Sequence, residues 1–217
     1  MILKTFVEGP IDANNYLLID EESKEAVMID CSDARKELLE EIKSLGIKLK
    51  YILLTHGHFD HIMGVDVFKE QFGVDAYVSQ DDIEQVKITP NMIFMFTGLH
   101  APEIKTINHY VKDGDEFVFG NNTIKAIATA GHTEGGMSYL VGDKLFSGDT
   151  LFQKSVGRSD LPGGDFKKLS HSVKDVLFSL PDDTKVFPGH GASTSIGFEK
   201  KYNEIFTSLE SLKGEMK

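Results

Sequence analysis

A chain of 217 residues, 41% hydrophobic and 26% charged, has the make-up of one folded domain with a real core, which excludes a disordered or fibrous polymer. Thirty-four acidic against 23 basic residues leave a net charge of −11, and no basic patch offsets it, so nucleic acid is not an expected partner. A single cysteine, Cys31, rules out an internal disulfide framework and fits a reducing compartment. The first residues reach Glu8 before any long apolar run, and no stretch approaches the ~20 apolar residues that span a bilayer. A cytoplasmic address without membrane contact is expected.

Strand-like runs open the chain at 2–7, 16–19 and 26–29, separated by Gly9-Pro10 and the acidic turn Asp20-Glu21-Glu22. A helix with Ser32 or Asp33 as its N-cap is expected next. Leu38, Leu39, Ile42 and Leu45 keep its spacing, and Gly46 stops it. A short buried strand over 51–54 runs straight into Thr55-His56, followed by a helix over 61–72 and a strand near 76–78. The segment 89–102 carries five consecutive apolar residues, Met92-Ile93-Phe94-Met95-Phe96, between Pro90 and Pro102. It reads either as a core segment or short helix, or as an apolar flap beside a site.

The second half repeats this style. Strands are expected over 116–119, 123–129, 137–141, 144–146 and 184–187, with helices over 166–180 and 197–213. Two sheets packed face to face, with helices outside, would bury all these apolar faces.

Chemistry concentrates after the strand at 51–54. Thr55-His56-Gly57-His58-Phe59-Asp60-His61 places four ligand-type residues within six positions. Two histidines one residue apart in an extended turn point the same way, so His56 and His58 suit one ion. Gly57 removes a side chain where the backbone is expected to pass close to the metal. Asp60 and His61 begin the next helix and point toward a second ion. Imidazole nitrogen and carboxylate oxygen are the donors expected for a divalent metal that does chemistry. Three more strands end in a ligand-type residue beside glycine: Gly131-His132, Gly148-Asp149 and Gly189-His190. His100, His109 and His171 have no such partners and read as ordinary surface or packing residues.

The order His56-x-His58-x-Asp60-His61, then His132, Asp149 and His190, resembles the metallo-β-lactamase superfamily over nearly the whole chain. The runs Gly131-His132-Thr133-Glu134-Gly135, Phe146 to Phe152, Gly157 to Gly164 and Pro188 to Gly191 look most like its glyoxalase II branch. The resemblance implies an α/β fold, a four-layer αββα sandwich of two mixed sheets with metals at one edge, here spanning 1–217 as a single domain. It implies one metal held by His56, His58 and His132, a second by Asp60, His61 and His190, and Asp149 bridging both, with Asp60 and Asp149 the catalytic carboxylates. The cofactors implied are two divalent ions, zinc first, with iron or manganese also compatible with this donor set.

The activity implied is hydrolysis of a small-molecule thioester, such as S-lactoylglutathione, by a hydroxide bridging the metals. The alternative is a mononuclear-iron persulfide dioxygenase, which uses two of these histidines and one aspartate. β-Lactam hydrolysis and nuclease action fit the expected address and the charge less well. Asp30 matches a position that supports the ligands, and reads equally as a strand-end cap. Arg158 falls where the branch places a cation near glutathione; it reads as a partner for a substrate carboxylate or as an exposed loop arginine. Only 27 residues follow His190, so the helical domain that holds glutathione in longer relatives is not expected.

Overall fold

The computed structural model describes residues 1–98, 100, 101 and 103–206. Its first sheet runs in spatial order β1 (Ile2–Glu8), β2 (Ala13–Ile19), β3 (Glu25–Ile29), β4 (Lys48–Leu53), β5 (Asp75–Ser79) and β6 (Ile107–Val111). The β1–β2–β3 meander is antiparallel, and β3 through β6 are parallel. The parallel steps need crossovers, and helices supply them: α1 (Lys36–Ser44), α2 (Phe59–Ile62), α3 (Val65–Phe72) and α4 (Ile83–Thr97).

The second sheet is built from β7 (Glu116–Phe119), β8 (Asn122–Ala128), β9 (Met137–Val141) and β10 (Lys144–Gly148). A small hairpin of β11 (Leu151–Phe152) and β12 (Ser155–Val156) follows, then α5 (Phe166–His171), β13 (Lys185–Pro188), β14 (Thr194–Ser195) and α6 (Ile196–Tyr202). Its order is β14-β13-β10-β9-β8-β7, with β10 and β13 parallel and the other pairs antiparallel. Both sheets are therefore mixed.

The two-residue period of the strands sets the layers. Leu18, Val27, Ile29 and Leu53 face the second sheet and pack with Phe119, Ile124, Tyr139 and Phe146. Their neighbours Leu17, Met28 and Ile52 point the other way, against Leu38, Ile42, Ile62 and Phe68 of the first helical layer. On the far side, Leu145 and Val186 meet Val173, Leu177 and Ile196. Helix, sheet, sheet and helix are the four layers that the resemblance implies.

Several boundaries differ from the sequence reading. The first helix starts at Lys36 with Arg35 as its N-cap, because Ser32 is drawn into a bond with Asn15 Oδ1 instead of capping. The helix expected over 61–72 is two, α2 and α3, separated at Gly64, where an added Cβ would meet the Cys31 sulfur and the Asp33 carbonyl. Pro90, which flanks the apolar run 92–96, lies inside α4. Burial of Val86, Thr89 and Ile93 outweighs the ~3 kcal/mol local penalty of an interior proline. The helix expected over 166–180 is α5 continued by one wide turn over 172–176 and a tight one over 177–179, with Leu169, Val173 and Leu177 still on the buried side. Of the helix expected over 197–213, α6 is described as far as Tyr202; residues 207–213 lie outside the described residues. Among the described residues no helix is long and apolar enough to cross a membrane.

Candidate metal centre

All seven predicted ligands meet at one edge of the two sheets. His56 and His58 follow β4, Asp60 and His61 sit on α2, His132 follows β8, Asp149 follows β10 and His190 follows β13. Their donor atoms fall into three groups of close neighbours: His56, His58 and His132; Asp60, His61 and His190; and His56, His61 and Asp149.

In the first group His58 Nδ1 stands 2.9 Å from His132 Nε2, and the His56 ring centroid is 4.7 and 4.8 Å from those two rings. In the second, Asp60 Oδ2 lies 3.2 Å from His61 Nε2 and 3.1 Å from His190 Nε2. Asp149 touches both. Its Oδ2 is 3.5 Å from His132 Nε2 and 3.7 Å from His190 Nε2, and its Oδ1 is 3.5 Å from His61 Nε2.

The imidazoles are oriented from behind. His56 Nδ1 faces Thr55 Oγ1 at 3.0 Å, His61 Nδ1 faces Asp30 Oδ2 at 2.9 Å, His132 Nδ1 faces the Arg158 carbonyl at 2.7 Å and His190 Nδ1 faces the Asp12 carbonyl at 3.3 Å. Each of those acceptors takes an Nδ1–H, which leaves the Nε2 lone pair directed into the centre. Thr55 passes the connection on by donating to Asp30 Oδ2, while its own N–H donates to Asp30 Oδ1. Asp30 thus supports one histidine of each triad, the ligand-supporting role of its two readings. It holds a left-handed backbone, φ 59°, to do so.

The donor set fits a cation. His56 Nε2, His61 Nε2 and Asp149 Oδ1 are buried and accept or donate no hydrogen bond, an arrangement disfavoured in a protein interior unless something else satisfies them. Electrostatics point the same way. Burial, reinforced by His132, pushes the His58 imidazole down to about 3, and burial with the neighbouring imidazoles keeps His56 neutral as well. Burial would also lower His61 and His190, yet the surrounding Asp60, Asp149 and (for His61) Asp30 raise both. Burial would raise the Asp60 carboxyl, but His61 and His190 hold it well below the usual carboxylate range. His56 and His58 are therefore neutral nitrogen donors, whereas the carboxylates around His61 and His190 favour positive charge in the second triad.

Asp30→Asn tests the support given to these rings. The amide keeps one acceptor and loses the other, so His61 loses its partner. Metal affinity at the second triad is expected to fall about 10–100-fold, with a smaller loss at the first through Thr55. Metal titration of the two proteins checks this; equal affinities would contradict it.

Three supporting residues were not legible in the sequence. Asp82, fully buried at the start of α4, accepts from Gly57 N at 2.8 Å, Thr133 Oγ1 at 2.8 Å and Gly135 N at 2.7 Å. It ties the His56–His58 turn to the His132 loop. Burial holds its carboxyl above the usual range against those donors. Asn14 Nδ2 donates to the carbonyls of Pro188 and Gly191, and Tyr16 Oη to that of Pro188, so β2 anchors the His190 loop. In sequence these are a polar residue in an acidic turn and two strand residues, with no spacing that marks them.

Gly57 is not held to glycine by a passing metal. A Cβ there would meet the Asp82 carbonyl at 2.7 Å and Gln85 Cβ at 3.0 Å, so glycine is required by the approach of α4. The glycine that makes room beside a ligand is Gly189, whose Cβ would overlap Asp149 Oδ1. Arg158 lies at the rim of a cleft of about 130 Å³ above the ligands, exposed, with its Nε and one terminal nitrogen each donating to Asp160 at 2.8 Å. The flap and core readings of 89–102 both hold in part. Ile93 is buried, whereas Phe96 is half exposed and stacks on Phe59 at 5.3 Å beside the cleft; Leu99 and Pro102 lie outside the described residues. His100, His109 and His171 stand apart from the centre, against Phe94, Tyr77 and Asp175 respectively.

Comparison with known proteins agrees with this geometry. Residues 9–190 match the model of the metallo-beta-lactamase superfamily. The hydroxyacylglutathione hydrolase GloC of Haemophilus influenzae is 32% identical over 197 residues, covering 89% of this chain and 93% of its own. Two solved structures are each 34% identical. BLEG-1 B3 metallo-beta-lactamase has a TM-score of 0.88 and covers 95% of this chain and all of its own. TTHA1623 in a di-iron-bound form has a TM-score of 0.84 and covers 94% of this chain and all of its own. The chain belongs to the metallo-beta-lactamase superfamily.

Proposed function

We propose that this protein is a metal-dependent hydrolase that cleaves thioesters of small hydroxyacyl or related acids. The observation that carries the reading is the reach of Asp149 to both triads, which would let two cation sites share one carboxylate. Support also comes from GloC, which is named for hydroxyacylglutathione hydrolysis and resembles this chain over most of both lengths.

His56, His58 and His132 would hold one ion, Asp60, His61 and His190 the second, and Asp149 both. Two divalent ions so held would make water near them acidic enough to act as a nucleophile near neutral pH and would polarise a carbonyl. Nitrogen and oxygen donors suit zinc, iron or manganese. We assign zinc first, while the di-iron form of TTHA1623 makes iron the metal to compare with it.

The protein's own groups do the rest. Thr55, Asp30 and the Arg158 carbonyl hold the rings of His56, His61 and His132 in place before reaction. Asp60 and Asp149 line the cleft and would set their carboxylate charge beside the attacking water. The water oxygen bonds to the acyl carbon, the carbon–sulfur bond breaks, and its electron pair leaves on sulfur, which takes a proton to become the free thiol. Buried Cys31 lines no part of that cleft, and no protein nucleophile is needed.

The test is an assay of the protein loaded in turn with zinc, iron and manganese. Hydrolysis of S-lactoylglutathione, lost on chelation and restored by metal, is expected. Oxygen uptake with glutathione persulfide and no hydrolysis would instead establish the dioxygenase chemistry. Turnover of a β-lactam alone would align the chain with its structural neighbour BLEG-1.

A further inference from the structure

The cleft above the ligands has two kinds of wall. Its floor is the ligand cluster, and around it stand Ile11, Phe59, Met92, Phe96 and Leu161, with Arg158 at the rim. Ile11 is 44% and Phe96 54% exposed. Phe96 spends one face on buried Phe59, in a stack with rings 27° apart, and its remaining surface is open to solvent at the cleft. Met92 and Phe96 are one turn apart on α4, so they present a single apolar face to the opening. Exposed apolar side chains gathered beside a polar centre mark a binding surface.

The walls offer an anionic guest little. Arg158 is the one guanidinium or ammonium group among the residues lining the cleft, and its Nε and one terminal nitrogen donate to exposed Asp160. The remaining positive charge belongs to the floor, with the ligand triads and the ions they would hold, where the thioester carbonyl binds, so the outlying carboxylates of a thiol such as glutathione meet only Arg158 at the rim. An uncharged apolar group meets four side chains, Ile11, Met92, Phe96 and Leu161, that gain by being covered, beside the buried Phe59.

We propose that the cleft selects thioesters carrying an uncharged apolar group over conjugates of charged thiols, with Met92 and Phe96 as the selecting residues. This rests on the thioester reading above and names the substrate class within it. The apolar group belongs to the acyl chain or to the thiol, and the two are separated by assay.

The experiment uses the metal-loaded protein with three substrates: S-hexanoyl-N-acetylcysteamine, the lactoyl thioester of hexanethiol, and S-lactoylglutathione. One or both of the first two are expected to show a kcat/KM about tenfold or more above the third. Phe96→Ala and Met92→Ala, on an exposed helical face where alanine is well tolerated, are expected to remove most of that advantage through KM. Asp160→Asn, which releases Arg158, is expected to improve S-lactoylglutathione alone. In parallel, calorimetry measures binding of the non-hydrolysable S-hexyl-N-acetylcysteamine against its S-hydroxyethyl counterpart.

Hydrolysis that favours S-lactoylglutathione, unmoved by the α4 variants, overturns this proposal and leaves the hydrolase standing. Absence of any hydrolysis sinks the hydrolase reading. The apolar preference is then judged by calorimetry: tighter hexyl binding that Phe96→Ala abolishes supports it, and equal binding overturns it. A dimer that Phe96→Ala dissociates, with no change in substrate preference, assigns the face to a second copy of the chain and also overturns the proposal.

Discussion

Asp149→Ala is expected to release metal from both triads together. The other six ligands divide three and three, and each triad keeps its own side chains when a partner in the opposite one is removed. Asp149 belongs to neither alone: one carboxylate oxygen lies 3.5 Å from a nitrogen of the first triad, and the other lies 3.5 Å from a nitrogen of the second. Its loss would remove a donor from each ion and leave the first triad with no carboxylate and the second with Asp60 alone. Residues that merely orient a ligand change metal affinity about 10–100-fold, so loss of a shared ligand is expected to exceed about 100-fold at both sites, with activity falling at least as far. His132→Ala, by contrast, is expected to weaken the first site more than the second. Metal titration of the two variants separates the cases; an Asp149→Ala protein that keeps one site at native affinity contradicts the shared role.

The second large effect is expected at Asp82, which contacts no ligand side chain. Its carboxylate holds three donors, two of them glycine N–H groups in different ligand loops. In Asp82→Ala these donors stay buried without acceptors, each at roughly 1–3 kcal/mol, so the metal-free protein is expected to lose about 3 kcal/mol or more of unfolding free energy. Thr133 can recover part by rotating its hydroxyl; the two backbone groups cannot rotate. Because the freed turns carry His56, His58 and His132, affinity at the first triad is expected to fall more than at the second. Asp82→Asn keeps one acceptor oxygen and should lie between native and alanine in both respects. Urea unfolding without metal, together with metal titration, reads the two effects separately. Unchanged affinity in a destabilised protein would reduce Asp82 to a packing role.

The convergence of the candidate ligands was legible because metal binding demands particular donor types, and His56, His58, Asp60 and His61 crowd into six positions after an apolar strand. The sheet layers were legible for a similar reason: alternation such as Leu17 against Leu18 states which face each residue covers. Asp82 and Asn14 carry no such mark. Their importance comes from acceptors and donors brought together by the fold across 51 and 53 positions in one case and 174 and 177 in the other. Arg158 was singled out for its guanidinium, yet its backbone carbonyl is the group that touches the centre, a contact no side-chain pattern encodes. The extent of α4 was not legible either, because the apolar run 92–96 does not reveal that burial of Val86 and Ile93 carries Pro90 inside one helix.

The most direct test is a crystal structure of the metal-loaded protein, with anomalous scattering recorded at the edge of the bound element. Two peaks are predicted, one against His56, His58 and His132 and one against Asp60, His61 and His190, with the Asp149 carboxylate between them. A single peak at full metal loading, or Asp149 turned away from both triads, would contradict the paired-cation centre.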